Sequence, residues 1–111
     1  MARSSVVVAL TTVATAVEAR RLAKSLLRQR LAACINIVPG IESFYWWQGK
    51  IDQSAEHLLV IKSTKRCVKP LERAIRLEHA YNTPEFLVFE ADHGNKKYSR
   101  RVSDSLVGKP S

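Results

Sequence analysis

The stretch from Leu31 to Lys50, LAACINIVPGIESFYWWQGK, leaves few backbones open to this chain. Ile, Val and aromatic residues dominate it after Leu31, which is strand composition. Pro39-Gly40 interrupts the run, since Pro removes a ladder donor and Gly tolerates unusual backbone angles, so the pair marks a bulge or bend within one long strand. Gln48-Gly49-Lys50 reads as a hairpin connection, with Gly supplying the positive φ such turns use. Ile51 to Ser63, containing HLLVIKS, is then the returning antiparallel strand. Along Ile41 to Trp47 apolar side chains fall on both faces of the ribbon, more than one layer of helices can bury. Such a surface calls for another subunit, and Tyr45, Trp46 and Trp47 are the expected contact, because aromatic rings bury large areas while their polar atoms still find partners.

The flanking segments complete the pattern. Ser5 to Val13 is a nearly continuous apolar strand. Thr15 and Glu18 have the spacing of a capping box, opening a helix with Ala19, Leu22, Ala23, Leu26 and Leu27 facing inward. Thr64 is placed to cap a second helix running to about Leu77, with Cys67, Leu71, Ala74 and Ile75 inward. Pro70 makes its first turn irregular or delays the regular helix to about Lys69. Asn82-Thr83-Pro84 breaks the chain, Glu85 to Ala91 reads as a fourth strand, and Gly94-Asn95 opens a short helix carrying Tyr98, Val102 and Leu106. The order β-α-β-β-α-β plus a helix predicts an α+β, ferredoxin-like fold with a long hairpin between its second and third strands. With 111 residues one domain over 1–111 is expected, residues 1–4 and 107–111 being its flexible ends.

The formal charge of +8 suits acidic partners. Arg20, Arg21, Lys24 and Arg28, however, fall where a helix faces water, and the bland reading of a solvated face outweighs nucleic-acid binding. An RNA-recognition sheet would carry aromatics on its third strand, where HLLVIKS is aliphatic. Val6 to Leu10 is too short and too β-branched for a secretory signal, and no stretch approaches the roughly 20 apolar residues of a membrane span. Cys34 and Cys67 form no metal-like spacing and no disulfide framework, which points to reduced thiols and a cytoplasmic protein. No phosphate loop, catalytic triad signature or paired-carboxylate motif is present, so an enzyme is not expected. In particular, Thr11-Thr12-Val13-Ala14-Thr15 lacks the Arg-bearing loop an acylphosphatase-like protein needs.

Several stretches together resemble the CutA family of divalent-cation tolerance proteins: SVVVALTT (5–12), RLAACINIVPGIESFYWWQGKI (30–51), LLVIKST (58–64), HAYNTPEF (79–86), and the late Gly94-Asn95 and Tyr98. The resemblance implies a compact homotrimer in which the hairpin extends into a neighbouring chain. It also implies a link to tolerance of copper and other metals in bacteria, and to acetylcholinesterase anchoring in animals. PII-type ligand sensors share the architecture, which suggests small-ligand binding at subunit clefts. Lys62, Tyr81 and Glu85, polar groups in family-matched motifs, are the candidates to line such a cleft; Lys62 with Glu85 could equally be a structural ion pair. Relatives credited with copper binding carry a cysteine where Leu10 stands and a histidine where Glu78 stands. If copper or another divalent metal binds here, Cys34 and His79 are the candidate ligands, and no cofactor is required. Each has a plain alternative: a small buried hydrophobe for Cys34, and a helix C-terminal imidazole bonded to carbonyls for His79.

Overall fold

The computed structural model describes residues 5–106, so the ends at 1–4 and 107–111 lie outside the described residues. Four strands and three α-helices follow in the order β1 (Val6–Val13), α1 (Ala16–Arg28), β2 (Cys34–Trp47), β3 (Lys50–Thr64), α2 (Val68–Glu78), β4 (Leu87–Glu90) and α3 (Lys96–Asp104). They form one antiparallel sheet in the order β2-β3-β1-β4, the ferredoxin-like arrangement expected from the sequence. Alternation decides its two faces. Ala9 and Val13 of β1, with Leu59 and Ile61 of β3, point to α1 and α2 and are buried against Leu22, Leu26, Leu71 and Ile75. The opposite face carries Val8, Leu10, Leu58, Val60, Leu87 and Phe89. There α3 covers one end only, packing Val102 and Leu106 against Cys67, Val6 and Ala33.

The hairpin is longer than the body needs. Trp47 pairs with Lys50 across a two-residue turn in which Gln48 and Gly49 have φ of 51° and 80°. Positive φ at both central positions matches the right-handed strand twist, and glycine takes it without a Cβ clash. Pro39 and Gly40 face His57 alone, two residues against one, so the register shifts between Val38 and Ile41 as a bulge, with Gly40 at φ 67°. Beyond that bulge the ribbon projects from the helical layer, and the molecule measures 49 × 26 × 22 Å.

Local details depart from expectation in four places. Leu27 is 40 % exposed rather than inward, because Leu22, Ala23 and Leu26 already fill the stripe α1 turns to the sheet. The capping box is half formed: Thr15 Oγ1 accepts from the Glu18 amide (3.1 Å), but the Glu18 carboxylate accepts from the Thr15 hydroxyl (3.4 Å) rather than from its backbone. Thr64 makes no side-chain cap. A 3-10 turn over Lys65–Cys67 intervenes and α2 starts at Val68, which settles how Pro70 is accommodated: it occupies the first turn, where no intrahelical donor is required. β4 is shorter than Glu85 to Ala91, since it pairs only with Val7 to Leu10 of β1 and follows Pro84.

Candidate functional site

A cleft of about 1040 Å³ lies between the hairpin and the segment linking α2 to β4. Three pieces of chain build it. β1 contributes Thr12, one residue before its end. β3 brings Glu56 and Asp52, which share a face because they are an even number of residues apart, and β2 adds Ser43, Tyr45 and Trp47 on that face through their pairing with Ser54, Asp52 and Lys50. The third wall is the turn after α2, with Tyr81, Pro84 and Glu85.

That turn is tied down by His79. It follows the last residue of α2 in extended conformation, and its amide donates to Ile75 O (2.9 Å). The Tyr81 amide donates to His79 Nδ1 (3.0 Å), so Nδ1 is the unprotonated nitrogen. Nε2 therefore carries the hydrogen and donates to Thr12 O at 2.6 Å. The ring thus pins the turn to the end of β1 and stacks obliquely on Tyr81, with centroids 4.8 Å apart. The Tyr81 hydroxyl in turn donates to Glu56 Oε2 (2.7 Å). Burial, and then the hydrogen bond and charge of Glu56, push the Tyr81 phenol up from 10.0 to about 12.

The sign of that shift gives a test. A raised phenol pKa means the bond to Glu56 stabilises the fold fully below about pH 10 and is lost as pH rises through about 12. Ultraviolet titration of the tyrosinates is expected to show a late step near pH 12 that Tyr81→Phe removes; a Tyr81→Phe profile superimposable on wild type, apart from amplitude, would contradict the pairing.

The sequence-nominated residues separate into distinct places. Tyr81 and Glu85 line the cleft, whereas Lys62 lies further along β3, opposite Cys34, and donates to Asn36 Oδ1. Lys62 and Glu85 are not an ion pair; the ion pair seen among the described residues is Lys65 with Glu90, at 3.4 Å on the surface. Cys34 sits level with Lys62 and Val8, and His79 with Thr12, so about 13 Å along the strand direction alone separates them. Cys34 faces Tyr98, whose phenol burial and then the nearby thiol push up. Both His79 nitrogens are engaged, and among the described residues no three of His, Cys, Asp or Glu are grouped to hold an ion. Cys34 and His79 of one chain therefore do not fit a shared metal. Trp46 and Trp47 point to opposite faces of the ribbon, so Tyr45, Trp46 and Trp47 are not one stacking platform.

Asp52 and Glu56 were not legible as site residues. Glu56 is only 7 % exposed, and nothing in QSAEHLLV distinguishes it from a solvated strand residue. Its burial follows from the turn that folds Tyr81 over it.

Comparison with known proteins agrees with this architecture. The family described as CutA1 divalent ion tolerance protein matches residues 7–105. The chain is 43 % identical over 86 residues to Protein CutA 1, chloroplastic, of Oryza sativa, covering 78 % of this chain and 49 % of that protein. It is 41 % identical over 91 residues to the divalent-cation tolerance protein CutA of Thermus thermophilus, covering 82 % and 88 %. It thus spans about half the length of the plant relative and most of the bacterial one. The crystal structure of CutA1 from Oryza sativa superposes with a TM-score of 0.93 at 38 % identity, covering 96 % of this chain and 97 % of that one. That of the Thermus thermophilus protein gives 0.89 at 37 %, covering 91 % and 98 %. The family match and the likeness in sequence and fold each extend over most of the chain, and the chain belongs to the CutA1 divalent ion tolerance protein family.

Proposed function

We propose that this chain serves divalent-cation tolerance, including tolerance of copper, as a binding protein and not as a catalyst. It works as a homotrimer whose subunits join through the long hairpin, with the Tyr81 cleft at a subunit boundary. Family membership supports the tolerance role, since relatives such as those of Thermus thermophilus and Escherichia coli are named for it. The observation that carries the assembly is the exposed apolar surface: Phe44, Trp46 and Ile51 on one face of the ribbon, with Leu87 and Phe89 on the bare side of the sheet. Large apolar side chains left this exposed mark interfaces rather than solvated faces. Two free thiols, Cys34 and Cys67, favour a reducing compartment such as the cytoplasm.

Expression in a bacterial strain lacking its own CutA and sensitised to copper tests the role. The chain is expected to restore growth at raised copper, and Cys34→Ser to restore it equally, because Cys34 has no second ligand beside it. Failure of the wild-type chain to restore growth, at normal expression, would contradict the role.

A further inference from the structure

The positive charge of the chain is concentrated on its helical layer. Because α1 and α2 both turn their apolar stripes to the sheet, their opposite sides share one solvent face. On that face stand Arg21, Lys24 and Arg28 of α1 and Lys69, Arg73 and Arg76 of α2, all exposed. The two helices hold only three acidic residues, and two of these are engaged: Glu18 accepts from Thr15, and Glu78 accepts from the Gln29 side chain at 3.0 Å. Four of the ten acidic residues of the chain, Glu42, Asp52, Glu56 and Glu85, line the cleft instead. Among the described residues none of these six helical cations forms an ion pair. Alone, the cations of α1 are a solvated helix face. The fold sets a second basic helix beside them and leaves the charge of both uncompensated.

The side chains that accompany the cations say which anionic partner fits. Val17 lies four residues before Arg21 on the same stripe of α1 and is 64 % exposed. Leu77 follows Arg76 at the end of α2 and, at 78 %, is the most exposed large apolar side chain among the described residues. Neither contributes to the core. A nucleic-acid backbone makes no use of aliphatic side chains, and neither helix carries an aromatic residue on which a base could stack. An anionic bilayer uses both kinds of group: ammonium and guanidinium heads meet the lipid headgroups, while the aliphatic side chains and the stems of Lys and Arg enter the acyl boundary. We infer that the helical layer docks on an anionic lipid surface, held by its six cations together with Val17 and Leu77. The contact is peripheral, since the apolar stripes of α1 and α2 stay buried against the sheet. The layer shares no residue with the cleft or with the exposed hairpin residues, so docking is independent of both.

Vesicle flotation tests it, with the full reduced chain and vesicles of phosphatidylcholine alone or of about one part phosphatidylserine to two of phosphatidylcholine. Binding is expected to the anionic vesicles and not to the neutral ones, falling at least about tenfold when salt is raised from about 0.05 to about 0.5 M. Arg21→Glu with Arg73→Glu is expected to weaken it at least about tenfold. Lys97→Glu with Arg100→Glu makes the same change in net charge at exposed positions of α3, on the other side of the sheet, and is expected to leave binding within about threefold of wild type. Val17→Ser with Leu77→Ser, at positions mostly in water, is expected to weaken it several-fold, with circular dichroism confirming that each variant folds. Equal binding to neutral vesicles, an equal loss with the α3 pair, or no loss with the aliphatic pair would overturn the lipid assignment. So would binding to a double-stranded DNA oligomer with none to the anionic vesicles, which would make the layer a nucleic-acid surface.

Discussion

Aspartate at both Phe44 and Trp46 is expected to leave each chain folded and to weaken self-association by more than about 100-fold. Both residues pair across the ribbon with β3, Phe44 with Gln53 and Trp46 with Ile51, and their side chains share one face. Phe44, Trp46 and Ile51 are 62 %, 73 % and 68 % exposed, so none contributes to the core of its own chain. Burying a large apolar side chain in a subunit interface is worth roughly 1.5 to 3 kcal/mol, and tenfold in affinity corresponds to about 1.4 kcal/mol. Removing two such rings and adding two charges that must be desolvated on assembly exceeds the 100-fold mark. Sedimentation velocity at micromolar concentration checks the mass, and far-ultraviolet circular dichroism checks the fold. Arg21→Asp, on the exposed side of α1, is the control expected to leave association unchanged. A double variant that sediments like wild type would place the interface elsewhere.

Ile61→Ala is expected to cost about 2 to 5 kcal/mol of stability, as large-to-small changes at sealed core sites do. Ile61 is fully buried, and its neighbours across the sheet are Ala9 on β1 and Ile35 on β2, with the helical layer above. Backbone pairing on both sides holds those strands in place, so the space left by the side chain cannot collapse. Leu27→Ala, by contrast, is expected to cost less than about 1 kcal/mol, since that side chain lies at the edge of the stripe and is 40 % exposed. Urea unfolding at one fixed protein concentration checks both, the fixed concentration being needed because assembly adds to apparent stability. Equal losses in the two variants would mean that α1 presents a different face to the sheet.

Leu27 also shows how far the fold was legible from residue order. Periodicity put five apolar residues of α1 inward, and four are; a helix stripe is only so wide, and which residue at its edge stays wet depends on what the sheet offers opposite. The hairpin was plainer. Pro39-Gly40 and Gln48-Gly49 are chemically specific, one unable to continue a ladder and the other suited to positive φ, and both features appear where those residues stand. A cap depends on where its side chain points, and the Thr64 hydroxyl is buried without a partner instead of bonding the helix start.

The site was less legible than the fold for a related reason. Tyr81 and Glu85 stand in a recognisable turn, but the groups that give the cleft its character come from distant parts of the chain. Glu56 and Asp52 are unremarkable in a strand rich in polar residues, and only the register of β3 and the turn pinned by His79 bring Glu56 under Tyr81. Cys34 and His79 are the opposite case. Both are chemically suggestive, yet one lies level with Val8 and the other with Thr12 on β1, and the ring nitrogens that could hold a metal hold the turn instead.

Sedimentation equilibrium of the reduced wild-type chain, over a range from low to high micromolar, tests most directly whether the long hairpin exists to join subunits. One species at three times the 12.5 kDa chain mass is expected across that range. A species of 12.5 kDa at the upper end of it would contradict the assembly, and would leave Phe44, Trp46 and Ile51 exposed to water for no structural reason.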